Sequence, residues 1–223
     1  MKQAALLFCL LVFSALTQAG VYDDLLQAIN TDNTPAALQL LDRGVDINSV
    51  DRLGNTLLML AVQKNNQALF KALLLRRARV NTLNQNGDTA LRFAALLGYL
   101  PMVQALVEAG AEVNFAAWSP LCYAAFNGHS EVVAYLLRRG AEVDARTDNQ
   151  STALMLAARN GHRAMVELLL KQRANPFLSN EYGETALSLA EKNHHSELLS
   201  ILPDPSQAPG LPPLTQSSSN LEK

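Results

Sequence analysis

An all-α solenoid of short paired helices is the fold class this sequence predicts, and three observations carry it. Leu and Ala together number 73 while Ile and Val together number 16; straight-chain and small side chains lose little rotamer freedom in a helix, which excludes an all-β fold. Thr56, Thr89, Ser119, Thr152 and Thr185 open similar stretches at intervals of 33, 30, 33 and 33 residues, the self-similarity of a repeat architecture. Each stretch holds helical segments of eight to eleven residues, below the roughly 12–15 that an isolated helix needs. Such helices must stack on those of neighbouring repeats.

Composition excludes several classes. The 223 residues are 49% hydrophobic with 11 Gly and 9 Pro, too apolar for a disordered chain and too poor in Gly and Pro for a collagen-like one. A net charge of −2 gives no electrostatic reason to expect nucleic acid as a partner. Two cysteines cannot build a disulfide scaffold.

Taken in order, the chain begins with a positive charge at Lys2, an apolar run from Ala4 to Leu16, and small residues at Thr17 and Ala19 before Gly20. This is the plan of a secretory signal peptide over residues 1–19. This thirteen-residue run falls short of the roughly 20 that span a bilayer as a helix, so no membrane insertion is expected after cleavage. Cys9 lies inside the run, away from any lipid-attachment position. The mature chain then keeps Cys122, read as a small buried apolar residue, with an intermolecular redox handle as the alternative.

The repeat domain spans 20–202, in units of about 21–50, 51–83, 84–116, 117–146, 147–177 and 178–202. The first unit has the character of a cap, with Asp23, Asp24 and Gln27 on an outer face. Pro35, Pro101 and Pro120 stand at the start of helices, where a missing N–H costs nothing. In the fifth unit Thr152 caps a helix running to Asn160, Gly161 ends it in the left-handed conformation, and a second helix runs from about Arg163 to Gln172. Ala94-Ala95, Ala124-Ala125 and Ala157-Ala158 place small side chains where helices approach closely. The last unit stops at Leu202 and is polarised by Glu184, Glu191, Lys192, His194, His195 and Glu197, as a terminal repeat requires. Residues 203–223 are rich in Pro and Ser and are expected to be disordered, a docking ligand being the alternative.

The stretches GNTLLMLAVQKNN, GDTALRFAALLGY, WSPLCYAAFNGHS, QSTALMLAARNGH and GETALSLAEKNHH, with the endings Gly110–Asn114 and Gly140–Asp144, resemble the ankyrin repeat. The resemblance covers about residues 21–202. It implies antiparallel helix pairs joined by short hairpin-like fingers, in five to six repeats including caps. It also implies a non-enzymatic module with no cofactor that binds another protein on the concave side made by finger tips and first helices. Mapped onto this chain, the tips carry Asp51, Arg52 and Leu53; Asn84, Gln85 and Asn86; Trp118; Asp148, Asn149 and Gln150; and Asn180, Glu181 and Tyr182. The histidine of the family's T-P-L-H is here Met59, Arg92, Cys122, Met155 and Ser188, which puts its loop-tying hydrogen bond in doubt at every repeat.

No nucleophile elbow, zinc-protease, phosphate-loop or dinucleotide-binding motif occurs. His129 and His162 stand at the repeat's Gly-His position, where a structural role outweighs catalysis. His194 and His195, read on the final helix with Glu191 and Glu197, would point about 100° apart and could not easily share a metal ion. Arg76-Arg77 and Arg138-Arg139 fall at ends of second helices, where cations complement the dipole. Asn149-Gln150-Ser151 is a glycosylation sequon by letter only.

The connection Asn114–Ser119 is three residues shorter than its counterparts and holds the only Trp. Trp118, with Phe115, Arg92, Tyr123 and Phe126, is expected at the centre of a binding surface that includes Asn84, Gln85, Asn86, Asp148, Asn149 and Tyr182, because aromatic anchors carry disproportionate binding energy. The alternative is that Trp118 folds over the gap and covers the core. The resemblance extends to exported bacterial ankyrin proteins, which implies a periplasmic (alternatively secreted), monomeric protein that assists a periplasmic catalase in peroxide defence. An immunity protein that plugs a toxic enzyme is the second reading.

Overall fold

A computed structural model describes residues 20–115 and 118–204. The signal peptide expected over 1–19, part of the shortened connection at 116–117 and the tail from 205 onward lie outside the described residues. The chain divides into two compact units, one ending at Val113 and one beginning at Asn114.

The first unit contains α1 (20–30), α2 (Thr34–Asp42), α3 (Leu57–Gln63), α4 (Gln67–Leu75), α5 (Ala90–Leu96) and α6 (Leu100–Glu108). The second contains α7 (Pro120–Phe126), α8 (Ser130–Arg138), α9 (Ala153–Arg159), α10 (Arg163–Lys171), α11 (Ala186–Lys192) and a 3₁₀ turn, Ser196–Leu198. Among the described residues the only extended pairings are the isolated antiparallel bridges Val50–Thr56 and Arg146–Thr152, which close fingers. This is the all-α solenoid of helix pairs that the period predicts.

The periodic Thr and Ser residues are N-caps. Thr56, Thr89, Ser119, Thr152 and Thr185 each sit in extended backbone and accept the N–H three residues on, satisfying a donor that the first turn orphans. Pro35, Pro101 and Pro120 fall in first turns, as expected. First helices of the inner repeats are then buried almost throughout: in α9 every residue from Ala153 to Ala158 is at most 4% exposed, whereas the terminal α11 buries only Ala186, Leu189 and Ala190. Second helices bury one stripe, such as Val132, Val133, Tyr135 and Leu136 of α8.

Polar side chains join successive repeats at three levels. In the first unit Asn66 caps α4 and donates to Asp32 Oδ1 at 2.9 Å and Thr34 Oγ1 at 2.6 Å. The Asn or Asp that ends a repeat accepts an N–H from the next: Asn48 from Arg79 and Asn81 from Glu112 in the first unit, Asn114 from Glu142 and Asp144 from Asn175 in the second. In the second unit the Phe126 carbonyl, at the end of α7, accepts from Asn160 Nδ2 at 2.7 Å and pairs with His162 Nε2 at 3.0 Å. One repeat later the Arg159 carbonyl pairs with His195 Nε2 at 3.1 Å. These are helix C-terminal carbonyls left without intrahelical partners.

The last pair corrects one sequence expectation. His194 and His195 are not on the final helix, because α11 ends at Lys192. His194 takes the left-handed turn (φ +63°) that Gly161 takes one repeat earlier (φ +71°), and His195 is the repeat's carbonyl-tying histidine. The chain closes with the 3₁₀ turn, whose Leu198 is buried together with Leu202. Asp23, Asp24 and Gln27 of the first helix are exposed while Leu25, Ala28 and Ile29 are buried.

Candidate binding surface

The fingers are built from the inside by buried polar side chains. In the first unit Asp51 accepts the N–H groups of Leu53 and Asn55 and the Asn55 amide; Asn55 in turn accepts from Asn84 Nδ2 at 2.8 Å. Asn84 accepts the N–H groups of Asn86 and Asp88. The Gln85 N–H donates to Leu53 O at 3.1 Å, so the two fingers are hydrogen-bonded edge to edge. Two residues expected on the surface are therefore interior. Asn84 is 8% exposed and Arg92 is 7% exposed, because the hairpin's own backbone must be satisfied where water is excluded. Arg92 stands at the position of the family's T-P-L-H histidine, and its guanidinium donates to the Gly87 carbonyl of the finger. Gln85 and Asn86 remain exposed, as do Val50, Leu53 and Leu83.

The second unit repeats this construction with different side chains. Thr147, 1% exposed, exchanges hydrogen bonds with Ser151, and Asn149 Oδ1 accepts from Thr147 Oγ1 at 2.6 Å. The sequon asparagine is thus half-buried and engaged, while Asp148 is exposed. The Glu181 N–H donates to Asn149 O at 3.1 Å, joining these two fingers. Tyr182 stands 69% exposed at the tip, with the Glu181 carboxylate holding its phenol above the ordinary value.

In the last two repeats the loop-tying bond that the sequence puts in doubt is supplied by other atoms. Thr152 N–H donates to the Met155 sulfur at 3.5 Å, and Thr185 N–H to the Ser188 hydroxyl at 2.9 Å. Cys122 is fully buried, with its Sγ 3.7 Å from the Ala145 carbonyl.

Trp118 packs on the exposed side of α7. Its ring lies 5.1 Å from Tyr123, tilted by 35°, and 5.9 Å from Phe126, edge-on at 81°. All three are half-buried, as is Phe115. Arg92 belongs to the first unit and its guanidinium is committed to its own finger.

Sequence reading missed a pocket of about 410 Å³ in the second unit, lined by Arg159, Tyr182, Glu184, Leu189, Lys192 and Asn193. Glu184 accepts from Lys192 Nζ at 2.5 Å and Asn180 Nδ2 at 3.0 Å. These bonds, with the Arg159 charge beyond them, hold its carboxyl below the ordinary range. The available signal was positional: Phe126, Arg159 and Lys192 occupy the same place in successive first helices, 33 residues apart. Among the described residues no group of three His, Cys, Asp or Glu side chains could hold a metal ion, and no helix is long and apolar enough to cross a membrane.

Comparison with known proteins agrees with this architecture. The family model for ankyrin repeats, spanning three copies, matches residues 25–117, 64–147 and 121–208. The chain is 43% identical over 70 residues to ankyrin repeat and SAM domain-containing protein 6 of Rattus norvegicus, covering 30% of this chain and 8% of that protein. It is 34% identical over 128 residues to ankyrin repeat domain-containing protein SAT10 of Stachybotrys chartarum, covering 56% and 7%. A third similarity, 42% over 86 residues, is to the B-cell lymphoma 3 protein homolog of Mus musculus, covering 38% and 19%. The chain therefore spans less than a fifth of the length of these relatives. Family match, capped helix pairs and hydrogen-bonded fingers together establish that this chain belongs to the ankyrin-repeat family.

Proposed function

We propose that this protein is an exported, non-enzymatic binding module that captures another protein in the periplasm. The observation that carries the reading is the half-buried cluster of Trp118, Tyr123 and Phe126. Within the same unit, the Thr147–Ser151 finger has its backbone fixed by polar side chains. Rigid aromatic side chains on a preorganised support lose little entropy on binding, and such residues dominate interface energetics. The N-terminal signal-like segment supports export. An accessory role to a periplasmic catalase in peroxide defence is the specific assignment within this reading, and it rests on resemblance alone.

Crosslinking in an intact periplasm, with and without peroxide, followed by identification of the attached protein tests the assignment. A catalase adduct that increases under peroxide is the expected result. Recovery of no specific partner overturns the binding reading, and recovery of a nuclease or other toxic enzyme replaces the catalase role with that of an immunity protein. Export is tested separately by N-terminal sequencing, with a chain beginning near Gly20 expected and one retaining Met1 refuting it.

A further inference from the structure

Within the second unit, the aromatic cluster and the Tyr182 pocket lie on the same side of successive first helices. α7 packs on α9 and α9 on α11, and Phe126, Arg159 and Lys192 recur at one position along them. The aromatic end offers apolar ring surface from Trp118 and Phe126. The pocket offers Leu189 as an apolar floor, the exposed Tyr182 ring as a wall, and three charges, Arg159, Lys192 and Glu184. Two of these charges are spent on each other, because Glu184 is engaged by Lys192 and Asn180. The exposed Arg159 guanidinium is the charge left to a partner. A planar fork of donors beside a pocket that joins the Leu189 and Tyr182 side chains to polar groups selects a carboxylate, which it can grip through two hydrogen bonds.

We infer that this face binds an extended peptide segment of the partner protein that carries an apolar residue and, three positions away, an Asp or Glu. The apolar side chain rests on Trp118 and Phe126, and the carboxylate meets Arg159. The spacing follows from packing: axes of adjacent helices lie about 8–10 Å apart, and an extended chain advances about 3.3 Å per residue. The occupant is an acidic segment rather than a basic one, because a Lys in the pocket would face both Arg159 and Lys192, with only an already paired Glu184 to offset them. This inference rests on the protein-binding reading and adds the chemistry of the partner.

The test titrates acetyl-Leu-Ser-Ser-Asp-amide and its Asn analogue into the full chain, read by the fluorescence of Trp118, the only Trp, and by the NMR signals of its indole and of the Arg159 side chain. The Asp peptide is expected to move both sets of signals and to bind about three- to fivefold more tightly than the Asn peptide, the range of an exposed ion pair. Arg159→Gln should remove that discrimination while the indole response persists, which also shows that the variant is folded. Equal affinity for the two peptides, or discrimination unchanged in Arg159→Gln, overturns the inference. Failure here leaves periplasmic crosslinking of the wild-type chain intact as the separate measure of whether a protein is bound at all.

Discussion

At Gly161 the backbone turns with φ +71°, and a Cβ there would stand 2.5 Å from the His195 ring. Gly183 has nearly the same angle, φ +73°, with nothing within 4 Å of its would-be Cβ. The pair separates two costs of an alanine. Gly183→Ala should lose about 1 kcal/mol for the left-handed backbone alone. Gly161→Ala should lose about 3 kcal/mol, since it also displaces the histidine that pairs with the Arg159 carbonyl; equilibrium urea denaturation of both variants measures the difference. Glu184 gives a prediction in pH. Its folded carboxyl is held below the ordinary 4.5 by Lys192 and Asn180, so the stabilisation is present above that ordinary value and is lost as pH falls through the folded one. The melting temperature of Glu184→Gln should be lower than wild type at neutral pH, with the two curves converging as acid removes the wild-type charge. Equal separation at every pH would show that the carboxylate charge contributes nothing.

Helices and fingers were unequally legible in the sequence. Thr152 and its counterparts could be read as N-caps because capping depends on local geometry, an oxygen three residues ahead of a waiting N–H. Asn84 and Arg92 were misplaced because their burial depends on the neighbouring finger, and polar side chains at a turn look like surface until that neighbour is present. Asn66 shows how much one such side chain does. It caps α4 and spans to Asp32 and Thr34 of the preceding repeat, so Asn66→Ala removes a cap and two part-buried hydrogen bonds. About 2–3 kcal/mol should be lost, and Asn66→Ser, which keeps a cap acceptor without setting a second carboxylate against Asp32, should recover part of it in thermal unfolding. Trp118→Ala tests the other doubtful element: unchanged stability with lost partner capture fits an interface side chain. A fall in melting temperature with unchanged capture per folded molecule would instead make Trp118 a cover for the core.

In a repeat protein each unit contacts only its neighbours, so disturbance should stay local. Leu198, fully buried in the closing 3₁₀ turn, is a suitable probe. Leu198→Ala, a cavity substitution worth about 2–4 kcal/mol in a core, should speed amide exchange in α11 and α10 and leave α3 and α4 at wild-type rates. Faster exchange throughout would mean that the chain unfolds as one cooperative body. The repeat architecture was readable from the Thr period alone, while the Tyr182 pocket was not, since Arg159 and Lys192 are ordinary surface residues until stacking aligns them. The Asn and Asp ladder has a further consequence, for how such an array can change over time. Three of its four bonds link residues 31 apart and the fourth, from Glu142 to Asn114, links residues 28 apart; the sequence is three residues shorter there and the rung is still made. Lengthening or shortening is thus tolerated in two currencies, whole repeats or finger residues, and a single residue added between a second helix and its rung would break the array's register.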